Sequence, residues 1–307
     1  TKCLVFALVI LRFFNTFYKH NPLQALARAL LLWICLLGLQ LGLHAQGIAS
    51  AQPNTPLNKK FTSAVDQLDE FVDRFNHKDP MFSEAFPHRP KRPEAAERAF
   101  LVKTLINPKS KLDPKTVAGF ITTLTNSAQP AVLNFGDDDW YATLTCNMLL
   151  DGKPVQGKVI MRFEVDNNGF SAWRIQSAAA PWLAAEAANL ASVRRARRMG
   201  LNPASHGNGF ISMHRAFMSP ESFADNLADS ASADARHLTA LVKTNRLKLD
   251  NITLVQYHFL QVSGYLFTVV DVYAPEGEPS GFLITRLLKA SPDAKRRYRR
   301  TVLHLQG

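Results

Sequence analysis

Two residues in this chain have types and spacing that suit acid–base work. His258 and Asp271 fall in neighbouring stretches that alternate like β-strands. A histidine titrating near neutrality and oriented by a carboxylate makes a general base. Tyr257, Tyr265 and Arg286 lie nearby in sequence and are candidates for holding a ligand beside that pair. Against this reading, His258 alternates with Ile252, Leu254, Gln256 and Leu260. A lone histidine on such a face is more often a satisfied structural residue.

Other constellations carry less. His206 and His214, with Glu221 and Asp225 beyond them, match no metal-ligand spacing and read as surface polar residues. Cys146 alternates with Trp140, Ala142, Leu144 and Met148, where a thiol acts as a small hydrophobe. The other cysteines, Cys3 and Cys35, precede residue 45, so the rest of the chain has neither a disulfide framework nor a cysteine metal site. No Gly-rich phosphate loop, Walker sequence, Gly-x-Ser-x-Gly elbow or His-Glu-x-x-His occurs. Nucleotide-dependent chemistry and zinc proteolysis are therefore disfavoured, and neither a cofactor nor a metal is expected.

The basic residues are the least ordinary feature. The formal charge is +11, and Lys2, Arg12, Lys19 and Arg28 account for four of those charges before residue 45. One further cluster is Arg194, Arg195, Arg197 and Arg198. Another is Lys289, Lys295, Arg296, Arg297, Arg299 and Arg300, opposed within that stretch only by Asp293. Removing the leader cations and both clusters leaves a body near neutrality. One reading of the clusters is a pair of patches for an anionic partner, a lipid headgroup or a polyanion. The plainer reading, and the favoured one, is a solvated tail over residues 291–307, with the first cluster completing a helix dipole. Nucleic acid is not expected, because the basicity is local and the leader directs the chain out of the cytoplasm.

That leader is residues 1–45. Residues 29–43 form an uncharged apolar run behind Lys19, His20 and Arg28, and Leu43-His44-Ala45 precedes Gln46. The pattern is that of a secretory signal peptide cut between Ala45 and Gln46. The run is shorter than the roughly 20 residues that span a bilayer comfortably. Bulky Trp33 and Ile34 before Cys35 make a poor lipobox. The expectation is an exported protein, periplasmic or secreted, and not lipidated. Residues 46–58 read as a flexible segment.

The elements that would position these residues come in two similar runs. Phe61, Val65, Leu68, Phe71, Val72 and Phe75 share a helical face. Residues 94–106 read as a second helix, and Asp113-Pro114 starts a third. A short strand over 131–135 and a meander over 140–176 follow, closing on Ser171-Ala172-Trp173-Arg174-Ile175. After a helical linker over 181–207, helices at 210–217, 219 onward and 233–243 precede strands at 252–261, 265–273 and 281–288. The last strand carries Ser280-Gly281-Phe282-Leu283-Ile284, the same signature again. The expected fold class is α+β: two tandem units, 59–180 and 208–290, each of about three helices followed by a curved antiparallel sheet. At 47% apolar residues the chain can build such cores.

Helices followed by a curved meander, with the Trp173 and Phe282 strand signatures, resemble the nuclear-transport-factor-2-like superfamily of cone-shaped, cystatin-like α+β folds. The exported tandem form is similar to envelope proteins of Gram-negative bacteria. The resemblance implies a pocket between sheet and helices, and enzymes of that shape commonly place an Asp–His pair in it. It implies no activity, because the fold hosts enzymes and inert binding modules alike. The expected function is a non-catalytic module that binds a small ligand or an envelope protein. The alternative is a small-molecule enzyme using His258 and Asp271.

Overall fold

Strict alternation builds the first long strand. β1 (Trp140–Leu150) turns Trp140, Ala142, Leu144, Cys146 and Met148 to one face, where all are buried. Asp151 and Gly152 both take positive φ, the two-residue turn whose twist suits a hairpin. They lead into β2 (Lys153–Val165), and β3 (Ser171–Ala179) completes the meander. The second meander is β4 (Leu247–Phe259), β5 (Tyr265–Val272) and β6 (Gly281–Lys289). The computed structural model describes residues 67–78, 93–126, 130–137, 139–165, 168–186, 200–219, 223–275 and 279–305. The leader, residues 46–58, and Arg194, Arg195, Arg197 and Arg198 lie outside them, as does Glu221.

The two meanders do not make two sheets. β1 pairs antiparallel with β4 along its whole length, from Trp140↔Phe259 to Leu150↔Leu247. The result is one curved six-stranded antiparallel sheet in the order β3-β2-β1-β4-β5-β6. A meander alone would leave the long first strand as an open edge, and pairing the two first strands removes both edges at once. The outer edges are covered as well. Leu201 and Leu227 bridge to Trp173 and Ile175 on β3, and Ile106 bridges to Ile284 on β6. Bulges interrupt the register near Cys146, Ile160 and Thr268, and such bulges bend and twist the strands that carry them.

Helices cross between the halves. Among the described residues there are seven: α1 (Leu68–Phe75), α2 (Glu94–Thr104), α3 (Pro114–Leu124), α4 (Leu183–Glu186), α5 (Ser212–Met218), α6 (Ala233–Lys243) and α7 (Pro292–Thr301). Phe71 and Phe75 of α1 and Phe120 of α3 pack on Phe259, Tyr265 and Phe267 of the second meander, at ring separations of 5.3–6.4 Å. Conversely, Phe210 just before α5 meets Trp173 of the first meander at 5.1 Å, edge to face. Ser232, the N-cap of α6, touches Ser177 of β3. The first set of helices thus covers the second meander, and the second set packs on β4 of its own half while α6 reaches across to β3, so residues 59–180 and 208–290 are not separate units of fold.

Two smaller expectations also change. Residues 131–135 form no strand. The side-chain amide of Asn76 holds them instead, donating to the Leu133 carbonyl and accepting from the Leu133 N–H, both at 2.8 Å. The expected tail over 291–307 is, across the described residues 291–305, not merely solvated chain, because α7 is a regular helix. Ser291 caps it, accepting from the Ala294 N–H at 3.2 Å, and Pro292 stands at its first position.

The packing on this side of the sheet leaves no slack at Gly119 in α3. A Cβ there would lie 2.6 Å from the hydroxyl oxygen of Tyr265, a ring already edge-on to Phe120. Gly119→Ala gains about 1 kcal/mol of helix propensity but overpacks a stiff side chain at a cost of about 1–3 kcal/mol. Urea unfolding is expected to show net destabilisation, relieved when Tyr265→Phe is added. A variant more stable than wild type would contradict this.

Candidate anion-binding cleft

The sheet has two unlike faces. The front face, under α1–α3, α5 and α6, is filled by buried rings. Trp140 and Trp173 meet at 4.6 Å, and Trp140 stacks on Phe259 at 5.7 Å. The pocket expected between helices and sheet is occupied by these side chains. Tyr257 belongs to this face. Its hydroxyl donates to the His206 carbonyl at 2.9 Å, and burial, then Asp271, raises its phenol well above the ordinary value. Tyr265 is also packed in this core.

His258 points the other way. In the β4–β5 register it faces Thr268, while Tyr257 faces Val269. Counting on by alternation puts Asp271 on the Tyr257 side. His258 and Asp271 are therefore on opposite faces and are not brought together. His258 is sealed instead. One ring nitrogen meets the Tyr298 hydroxyl and the other the Thr143 hydroxyl, each at 2.9 Å. Burial, followed by the charges of Arg286 and Lys158, pushes its pKa down to about 3. An imidazole so placed stays neutral and has no open side for a substrate. Arg286 shares this back face, opposite Thr268 in the ladder, with its guanidinium 6.0 Å from the centre of the Tyr298 ring. Tyr257, Tyr265 and Arg286 do not converge on one ligand.

His206 is not a surface residue as expected. It is buried among Phe135, Trp140 and Trp173, and it meets Asp69 of α1 at 3.1 Å. Among the described residues, no group of three or more His, Cys, Asp or Glu side chains is placed to hold a metal. Cys146 is buried, and desolvation pushes its thiol up to about 12, so it is no nucleophile.

What lies on the back face is α7. Three side chains seat it. Tyr298 is buried against His258, and Leu303 joins Tyr141, Ile160, Leu260 and Leu266 in a second apolar cluster. Lys295, one turn before Tyr298, donates through Nζ to the carbonyls of Leu260 and Val262, both at 2.6 Å. Burial lowers its pKa, and Asp139 works in the opposite direction. Seating Lys295 and Tyr298 on the sheet leaves Arg296, Arg297 and Arg300 exposed and Arg299 half-buried.

Between α7 and the sheet runs a cleft of about 600 Å³. Its floor is Tyr141 and Arg162, cross-strand partners on β1 and β2, with Gln176 of β3 and Ser230 beside them. Gln176 and Ser230 bond each other, which fixes that wall. Arg296, Arg297, Arg299 and Arg300 form the helix side, with Asp293, and Leu305 adds an apolar edge. Arg299 pairs with Asp139 and Arg296 with Asp293. Burial raises the Tyr141 phenol, with Asp139 adding to the effect and Arg162 and Arg299 opposing it, so its hydroxyl remains a donor at neutral pH. Five guanidinium groups and a phenol line one concave space, an arrangement that binds anions through charge-assisted, fork-shaped hydrogen bonds.

Composition marks Arg296, Arg297, Arg299 and Arg300 but not Arg162, which the register sets beside Tyr141 and the docking of α7 brings into the same cleft. Ser291-Pro292-Asp293, a helix start in plain form, is the local signal that these arginines sit on a helix. No family model, no curated protein and no solved structure matches this chain.

Proposed function

We propose that this chain is an exported, non-catalytic binding module, and that its ligand is anionic and enters the cleft beneath α7. The observation that carries this reading is the convergence of Arg162 with the four arginines of α7 on one concavity. The placement of His258 and Asp271 on opposite faces weighs against an enzyme built on that pair. The leader pattern over residues 29–46 supports export.

The reading keeps the likeness to cone-shaped folds as ancestry for each meander, and it moves the ligand from the helix-covered face to the opposite one. Duplication also enters as part of the proposal. The step in sequence that carries Ser171 onto Ser280 also carries Thr145 onto Leu254. Those two residues are themselves partners in the β1–β4 seam. That relation is the one expected if two copies of a single unit paired about a local two-fold axis.

Retention on phosphocellulose tests the anionic reading. The full chain is expected to elute at a salt concentration well above that of the double variant Arg297→Gln/Arg300→Gln. Arg236→Gln, an exposed charge on α6 outside the cleft, is expected to change retention much less. Equal elution of the double variant and wild type would remove the reading.

A further inference from the structure

We infer that the cleft takes a compact, soluble ligand carrying at least two phosphate-type charges, rather than a flat anionic surface; this rests on the anion-binding reading above. The first argument is charge. Of the five arginines lining the cleft, Arg296 is engaged by Asp293 and Arg299 by Asp139. Among the described residues, no carboxylate lies within ion-pair distance of Arg297 or Arg300. One singly charged group leaves at least one of these two guanidinium groups uncompensated. A phosphate monoester brings about −1.5 to −2 charges at neutral pH, with several acceptor oxygens, and two linked phosphate groups can engage both forks.

The second argument is size. A volume of about 600 Å³ lies within the roughly 300–1,000 Å³ of sites that enclose a whole small molecule. A single inorganic phosphate would leave most of it to water.

The third argument is shape. Arg162 and Tyr141 stand on the sheet floor, under α7, and α7 forms a wall. A planar array of headgroups cannot descend past that wall to reach them, whereas a small solute can. Helices that lie on membranes turn Trp, Phe or Leu outward into the acyl boundary. The apolar anchor of α7, Tyr298, turns inward to His258, and the helix's exposed residues are Asp293, Arg296, Arg297 and Arg300 with Pro292 and Thr301, none of them aromatic or leucine. The neutral polar side chains also fit a solute. The Tyr141 hydroxyl supplies a donor at the floor, and Leu305 offers an apolar edge.

Isothermal titration of the full chain at low salt, with inorganic phosphate and pyrophosphate as probes, tests this beside flotation with phosphatidylcholine–phosphatidylglycerol vesicles. Pyrophosphate is expected to bind about tenfold or more tighter than phosphate, as one added charge-assisted fork predicts. Arg297→Gln/Arg300→Gln should weaken pyrophosphate binding by about tenfold or more, with an unchanged circular dichroism spectrum. Arg236→Gln should leave it within about twofold. Equal affinity for the two probes would overturn the requirement for two charges. Vesicle binding without pyrophosphate binding would overturn the compact-ligand inference while leaving the anionic reading in place. If none of the probes or vesicles binds, both fall.

Discussion

Residues 57–180, produced alone, are expected to show no cooperative unfolding transition, and residues 181–307 alone likewise. The reason is the crossover of the helices. In the first piece Phe71, Phe75 and Phe120 lose Phe259, Tyr265 and Phe267, the rings they pack against. Returning a buried side chain of this size to water costs about 1.5–3 kcal/mol. Three of them therefore remove an amount comparable to the whole stability of a domain, roughly 5–15 kcal/mol. The same cut strips β1 of its ladder to β4, and it separates Trp173 from Phe210 and from the Leu201 bridge. Mixing the two pieces is expected to restore β-sheet circular dichroism and a single melting transition. A cooperative melt for either piece by itself would show that the crossover is dispensable.

The second large effect concerns pH. In the folded chain His258 has a pKa near 3, whereas an unfolded histidine titrates near 6.5. Below pH 6.5 the unfolded state therefore binds more protons, and stability must fall as pH falls, with the loss complete once pH reaches the folded pKa of about 3. At about 1.4 kcal/mol per pH unit, the window from pH 6.5 to 5 alone removes about 2 kcal/mol, before most carboxylates titrate. His258→Gln keeps a side chain able to hydrogen-bond Thr143 and Tyr298 but takes up no proton. It is expected to be less stable than wild type at pH 7, and the difference should narrow by about 2 kcal/mol on acidification to pH 5. Urea midpoints measured across that range decide it. Histidines common to both proteins cancel, so parallel pH profiles would mean that His258 is not held neutral by burial. Because Tyr298 caps His258 from α7, the same acidification is expected to loosen the wall of the cleft.

Much of the secondary structure was legible because it depends on neighbours in sequence. Alternation from Trp140 to Met148 identified β1 and the side on which Cys146 is buried. Asp113-Pro114 marked the start of α3, and the Asp113 carboxylate does accept from the Thr116 N–H at 2.9 Å. The residues of the cleft were legible only in part. The α7 arginines stand out by composition, but a basic run reads equally as a tail until Ser291 and Pro292 are taken as a cap. Arg162 carries no local signal, since it is one polar position in an alternating strand.

Local pattern carries the α+β class, the existence and order of the six main strands, the leader pattern and the confinement of positive charge to patches, though β4 starts at Leu247, five residues before the expected 252. These follow from periodicity, turn chemistry and counting, all of which act over a few residues. Long-range pairing is what puts the two meanders in one sheet, the first half's helices on the second meander, and His258 and Asp271 on opposite faces. Those outcomes rest on the β1–β4 pairing, in which Trp140 finds Phe259 from more than a hundred residues away. Either meander, read alone, pairs as well with itself as with its twin. What selects the joint sheet is the burial of two long open edges and of aromatic rings that neither half can cover alone.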